Sequence, residues 1–147
     1  SGTSEYLRGV TFGNGLFVTV GKQGTILTSP DGTTWTLRTS GIPNLPDGTN
    51  PEFRGVTYGN GLFVTVGFFG TILTSSDNGT TWTTRTSGIE GDYTEYLNDV
   101  TYGNTTFVAV SSLGTILTSG DGTSWTQRTW ADHSGELENL GGITYSQ

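Results

Sequence analysis

The sequence holds no cysteine, no methionine and a single histidine among its 147 residues. Missing thiols exclude disulfides and thiolate metal sites. One histidine, His133, cannot build a multi-histidine metal centre within one chain. Charge is also scarce, at 13% of residues, too little for a disordered polyelectrolyte. Only six residues are Lys or Arg, scattered along the chain, against 13 Asp or Glu, for a net charge of −7. That balance repels a phosphate backbone, so nucleic acid is not expected as a partner, and an anionic membrane surface is disfavoured for the same reason. No apolar run approaches the roughly 20 residues that cross a bilayer, so no membrane insertion is expected. No stretch spaces its apolar residues at i, i+3, i+4, i+7, which removes long helices. A signal-peptide pattern is missing at Ser1. Cytosolic, mature secreted and excised origins stay open, with a secreted or cell-surface location slightly favoured over the cytoplasm.

What the chain has instead is 24 glycines among many Thr, Val, Phe and Tyr, the composition of short strands joined by tight turns. It also repeats itself. The units read "LRGVTFGNGLFVTVGKQGTILTSPDGTTWTLRTSG", "FRGVTYGNGLFVTVGFFGTILTSSDNGTTWTTRTSG" and "LNDVTYGNTTFVAVSSLGTILTSGDGTSWTQRTW", and a fourth begins as "LGGITYSQ". The equivalent residues Val10, Val56, Val100 and Ile143 lie 46, 44 and 43 positions apart, a period typical of propeller blades and solenoids. Each unit divides into four strands, A to D. In unit 2 these are 53–58, 62–66, 71–75 and 81–86, separated by Asn-Gly and other Gly-bearing turns. "LFVTV" and "TILTS" are apolar nearly throughout, as strands buried on both faces are. The expected fold is all-β: a single repeat domain, 1–147, forming a β-propeller segment. Its blades are about 7–41, 53–88 and 97–130, with an extra strand at 140–145.

The turn between strands C and D recurs as Ser29-x-Asp31-Gly32…Trp35, Ser75-x-Asp77-x-Gly79…Trp82 and Ser119-x-Asp121-Gly122…Trp125. Ser75-x-Asp77-x-Gly79-x-Thr81-Trp82 resembles the Asp-box, S-x-D-x-G-x-T-W, of the bacterial neuraminidase repeat family. Units 1 and 3 are one residue shorter inside the turn. The resemblance extends over almost the whole chain. It implies the fold more than the activity, because sialidases, other glycosidases, photosystem assembly factors and binding proteins share the box. In that family the box sits away from the ligand face. The physics points the same way: the Asp can accept backbone N–H groups of its own turn, and the Trp can pack beneath it.

Three blades do not close a ring of 4 to 8. An open arc leaves apolar flanks and strand edges in water. Two chains would give six blades with two-fold symmetry, so a homodimer is expected first and a homotrimer of nine blades second. The extra strand matches strand A of each unit. Either it exchanges between chains, or it opens a further blade.

Within a meander, the A–B and C–D turns share one face, and here they barely vary. The B–C and D–A connections share the other and differ in every unit. Scaffolded loops that vary are where binding usually lives. This face carries Phe68, Phe69, Asp92, Tyr93, Glu95, Tyr96, Trp130, Asp132, His133, Glu136 and Glu138. Aromatic rings beside carboxylates suit sugars, so a glycan is the expected ligand class. Phe68 and Phe69 would equally serve as an interface core, and Tyr96 as a packing residue. No catalytic set stands out, and no cofactor or metal is expected. The sialidases of the family hold substrate with three arginines. Here Arg38, Arg85 and Arg128 each follow the box Trp by three positions on the outer strand, a structural placing. Arg8 and Arg54 lie on inner strands, where unit 3 has Asn98. The reading is a non-enzymatic binding or assembly module. A glycosidase-like fragment, or an engineered or excised repeat protein that self-assembles without a ligand, are the alternatives.

Overall fold

The computed structural model describes residues 4–43, 48–89, 94–128 and 138–146. Twelve strands form three four-stranded sheets. Blade 1 holds β1 (Leu7–Gly13), β2 (Leu16–Gly21), β3 (Ile26–Ser29) and β4 (Thr36–Arg38). Blade 2 holds β5 (Phe53–Gly59), β6 (Leu62–Gly67), β7 (Ile72–Ser75) and β8 (Thr83–Arg85). Blade 3 holds β9 (Leu97–Gly103), β10 (Thr106–Ser111), β11 (Ile116–Ser119) and β12 (Thr126–Arg128). Every pairing is antiparallel between chain neighbours, so each blade is a meander. The A–B hairpins are tight because Asn14-Gly15 and Asn60-Gly61 supply two successive positive φ angles, the requirement of a type I′ turn.

The blades are apolar on both flanks, and that is why the strands carry no polar alternation. Val18, Val20 and Ile26 of blade 1 pack against Phe53, Val56, Phe63 and Leu73 of blade 2. Their equivalents Val64, Val66 and Ile72 pack against Leu97, Val100, Phe107 and Leu117 of blade 3. Among the described residues, no buried side-chain nitrogen or oxygen lacks a partner.

The inner strands approach one another closely, and glycine permits it. A Cβ built on Gly13 would lie 2.1 Å from Cγ of Tyr58, and one on Gly59 would lie 2.0 Å from Cγ of Tyr102. Each glycine is therefore a seat for the next blade's aromatic ring. A bulge near the start of each inner strand skips Arg8, Arg54 and Asn98 out of the ladder.

The fourth repeat start behaves as an inner strand without a blade. Tyr145 sits over Gly103 as Tyr102 sits over Gly59, a Cβ there falling 2.1 Å from its Cγ. Asp99 Oδ2 accepts the Ile143 N–H at 3.0 Å, and Asn98 Nδ2 donates to Asn139 Oδ1 and to the Leu140 carbonyl, both at 2.9 Å. Expected as a strand, residues 140–145 instead join none of the three sheets. The physical reason is that a strand needs a ladder of backbone bonds to a neighbour, and here, among the described residues, the backbone supplies a single one, the Leu140 N–H donating to the Ser111 carbonyl at 3.0 Å.

Candidate functional site

The repeated C–D turn is built from its own short side chains. Asp31 Oδ1 accepts the backbone N–H groups of Thr33 and Thr34, each at 2.8 Å, and Asp121 Oδ1 accepts those of Thr123 and Ser124 at 2.8 and 2.9 Å. Asp77, in the longer turn, accepts the Thr81 hydroxyl at 2.6 Å and the Thr81 N–H at 2.9 Å. Ser29, Ser75 and Ser119 donate to the carboxylates and accept N–H from Gly32, Gly79 and Gly122. Trp35, Trp82 and Trp125 donate their indole N–H to the carbonyls of those same glycines. Hydrogen bonds made only to the ionised form hold all three carboxyls below the usual range. The Thr81 hydroxyl and N–H bring Asp77 down to about 2. The Thr34 and Ser124 N–H groups act first on Asp31 and Asp121. Every carboxylate is occupied by its own turn.

The turn also touches the preceding blade. Gly79 lies against Thr28, Leu16 and Val18 of blade 1, and Gly122 against Leu62 of blade 2. Trp82 and Trp125 pack onto the two interblade cores. Among the described residues no blade precedes blade 1, and Trp35 lines an open cleft of about 490 Å³ with Glu5, Gln23, Leu27, Leu37 and Arg38.

On the opposite face lie single 3-10 turns at Lys22–Gly24 and Phe68–Gly70, and in blade 3 a turn of another kind at Ser112–Gly114. Phe68 is 5% exposed. Its ring meets those of Phe53 and Phe69 at 6.5 and 5.2 Å, and Phe69 meets Tyr96 at 5.7 Å. Arg54 lies over the Tyr96 ring at 4.3 Å, a cation–π contact. Phe68, Phe69 and Tyr96 thus form one aromatic group joining blade 2 to blade 3. Glu95 is buried and accepts the Ser111 hydroxyl at 2.5 Å. Glu138 is exposed beside Gly114. Asp92, Tyr93, Trp130, Asp132, His133 and Glu136 lie outside the described residues.

A polar rail that the sequence does not announce runs along the starts of the inner strands. Arg8 and Arg54 both reach Glu52 Oε1 at 3.2 Å. Arg54 Nη1 donates to Asn98 Oδ1 at 2.6 Å, and Asn98 continues to Asn139. The bulges aim these side chains sideways between blades. The repeat alignment puts Arg8, Arg54 and Asn98 in register and is the signal that would have found them. Glu52 has no such signal, since Tyr6 and Tyr96 stand in its place in the other units. Beside the rail, Lys22, Gln23, Asn50, Pro51 and Glu52 line a cleft of about 200 Å³, with Asn50 Nδ2 bonded to Gln23 Oε1. Tyr6 stands exposed next to it, 5.2 Å from the Lys22 ammonium. Arg38, Arg85 and Arg128 each donate through Nε to a Thr hydroxyl of their own blade, Thr28, Thr74 and Thr118. They do not converge on a common point. Among the described residues no cluster of His, Asp and Glu could hold a metal ion, and no helix is long and apolar enough to cross a membrane.

No protein-family profile matches the chain, and no curated protein matches it. Solved structures do. YCF48 bound to D1 peptide superposes with a TM-score of 0.69 at 21% identity, over 86% of this chain and 41% of that one. YCF48 from Cyanidioschyzon merolae gives 0.67 at 22% identity, over 86% and 38%. The WD40 β-propeller domain of Doa1 gives 0.61 at 14% identity, over 84% and 40%. The chain spans about two fifths of the length of each of these structures. Likeness at such identity speaks for the fold: this chain is a three-bladed stretch of β-propeller.

Proposed function

We propose that this chain is a non-enzymatic binding and assembly module of the Asp-box propeller type, which completes its ring with further copies of itself. One observation carries the assembly reading. Val10 on the outer flank of blade 1 is 65% exposed, whereas its equivalents Val56 and Val100, each facing a preceding blade, are 7% and 3% exposed. Phe12, Leu37 and the cleft at Trp35 extend the same uncovered flank. A second chain would cover it with a flank of the kind that blades 1 and 2 already offer their neighbours. Sedimentation velocity over rising concentration tests this. A mass of two or three chains is expected, and a single chain at every concentration overturns the reading.

The ligand in this reading is a carbohydrate held on the face of the B–C and D–A connections. The exposed Tyr6 ring, with Lys22, Gln23, Asn50 and Glu52 nearby, supports it by offering an apolar plate beside hydrogen-bonding groups. Trp130 and Tyr93 of the D–A connections belong to the same proposal, as do Asp92, Asp132 and His133. A glycan array is the test, with signal lost in Trp130→Ala and Tyr93→Ala. A second reading, an extended peptide as ligand, draws on the neighbour described as bound to a D1 peptide. A peptide array that gives signal where the glycan array is blank would replace the sugar with it.

A further inference from the structure

Four aromatics stand at equivalent repeat positions, Phe12, Tyr58 and Tyr102 on inner strands and Tyr145 in the C-terminal segment, and the glycines that could seat them number three. Tyr58 takes Gly13, Tyr102 takes Gly59 and Tyr145 takes Gly103. Phe12 has no seat and is 58% exposed. If a second copy places its blade 1 against the far flank of this blade 3, its Phe12 needs Gly103, which Tyr145 already fills. The flank itself has the right chemistry. Val108, Val110 and Ile116 are the equivalents of Val18, Val20 and Ile26, which elsewhere receive a following blade. Ile26 is fully buried in its junction, whereas on this flank Val110 is buried but Val108 and Ile116 are only half-buried.

Could the segment remain and serve as the inner strand of the incoming blade? Position 146 decides against it. Ser146 stands where the repeats have Gly13, Gly59 and Gly103. In the first junction a Cβ at that position would lie 2.1 Å from Tyr58 Cγ. Ser146 carries that Cβ, so the following blade's aromatic has nowhere to sit. A ring that retains the segment is sterically blocked at its next junction.

We propose that the far flank of blade 3 is a docking surface for blade 1 of a second copy, and that residues 139–146 occupy it as an intrachain competitor. This rests on the self-association reading and adds its regulation. Undocking the segment releases the Asn98–Asn139, Asn98–Leu140 and Asp99–Ile143 hydrogen bonds and the backbone bond from the Leu140 N–H to the Ser111 carbonyl. The apparent affinity between copies is therefore reduced by the fraction of chains with the flank open.

The test uses the full chain and sedimentation equilibrium, with circular dichroism as the fold control. Tyr145→Ala weakens the competitor without touching the flank, and its Kd for self-association is expected to fall on the order of tenfold below that of the parent. Adding Phe12→Ala to it is expected to return the Kd to the parent value or above. Gly103→Val closes the seat to both rings and is expected to abolish association while the far-UV spectrum is kept. Hydrogen exchange at the Ile143 amide, which Asp99 holds, is expected to be faster in the assembled state than in the single chain. Unchanged protection on assembly overturns the proposal. So does a Tyr145→Ala chain that associates more weakly than the parent, which would make the segment part of the interface. A parent that associates, beside a Tyr145→Ala chain no tighter, overturns the competition and leaves the assembly reading standing. If neither chain associates at any concentration, both fall.

Discussion

β1 and β5 carry nearly the same residues, Leu-Arg-Gly-Val-Thr-Phe-Gly and Phe-Arg-Gly-Val-Thr-Tyr-Gly, in two different surroundings. In β5 the first residue is fully buried and Val56 lies in a core. In β1 Leu7, Val10 and Phe12 all face outward. The strands are alike in hairpin, bulge and register. What differs is the presence of a preceding blade. Core membership here belongs to the junction between repeats, and a single repeat contains only half of each core. This is the usual logic of repeat proteins, whose stability resides in interfaces between neighbouring units.

The sharpest way to break that comparison is to place the same charge at both positions. Val56→Asp puts a carboxylate among Leu16, Val18 and Phe63 with nothing to pair it, at a cost of about 3–5 kcal/mol. Val10→Asp, on an uncovered flank, should cost under about 0.5 kcal/mol when measured below the concentration of self-association. Urea midpoints of the two variants check this. Equal losses would mean that blade 1 has a cover in solution even when dilute. An unchanged midpoint for Val56→Asp would remove the first junction as a source of stability.

Much of this architecture was legible in the residues. The hairpins were, because Asn14-Gly15 and Asn60-Gly61 meet a backbone demand that few other pairs meet. The three-unit division was, because the same turn recurs with the same Ser, Asp, Gly and Trp. The destination of the aromatic side chains was not. Phe68 and Phe69 read equally as exposed binders or as interface core, and the choice depends on a contact to Tyr96 that lies 27 positions further along the chain. Gly13, Gly59 and Gly103 read as turn glycines beside Asn, whereas each also seats a ring from another blade. The rail through Glu52 was hidden for a similar reason, since its partners come from different blades and only one unit has an acid there. Local pattern reports the blade, and cross-blade contact must be seen.

A smaller effect separates the A–B turns. Blades 1 and 2 place Gly15 and Gly61 at the second left-handed position, while blade 3 places Thr105 there with φ 59°. A β-branched residue resists that conformation, at roughly 1–2 kcal/mol. Glycine relieves the strain but adds backbone freedom to the unfolded chain, which takes back part of the gain. Thr105→Gly should therefore stabilise the protein by about 0.5–1 kcal/mol, a rise of a few degrees in Tm by calorimetry. Gly61→Thr should lose a similar amount. A drop in Tm for Thr105→Gly would show that the Thr105 hydroxyl, which donates to the Asn104 carbonyl at 2.7 Å, outweighs the strain.

The smallest effect is the pH response of the C–D turns. Asp31, Asp77 and Asp121 have folded pKa values below the ordinary value of 3.8. A carboxyl whose pKa is depressed on folding contributes its stability above the unfolded pKa and loses it as pH falls through the folded one. Tm should thus be level above about pH 5 on this account and decline between about pH 4 and pH 2. These carboxylates are open to solvent, so screening keeps each contribution modest. Asp77→Asn cannot be protonated and removes one of the three groups, so its decline across that window should be shallower than the parent's. It should also start from a lower Tm at neutral pH, because the carboxylate accepts the Thr81 N–H on Oδ1 and the Thr81 hydroxyl on Oδ2, whereas the amide keeps one accepting oxygen, uncharged, and loses the other. The same substitution at Asp31 tests the comparison between blades once more. Its turn closes onto no preceding blade, so the loss at neutral pH should be smaller than at Asp77, whose neighbour Gly79 presses on Thr28 and Leu16. Equal losses would show that the turn is stabilised wholly by its own hydrogen bonds and draws nothing from the junction.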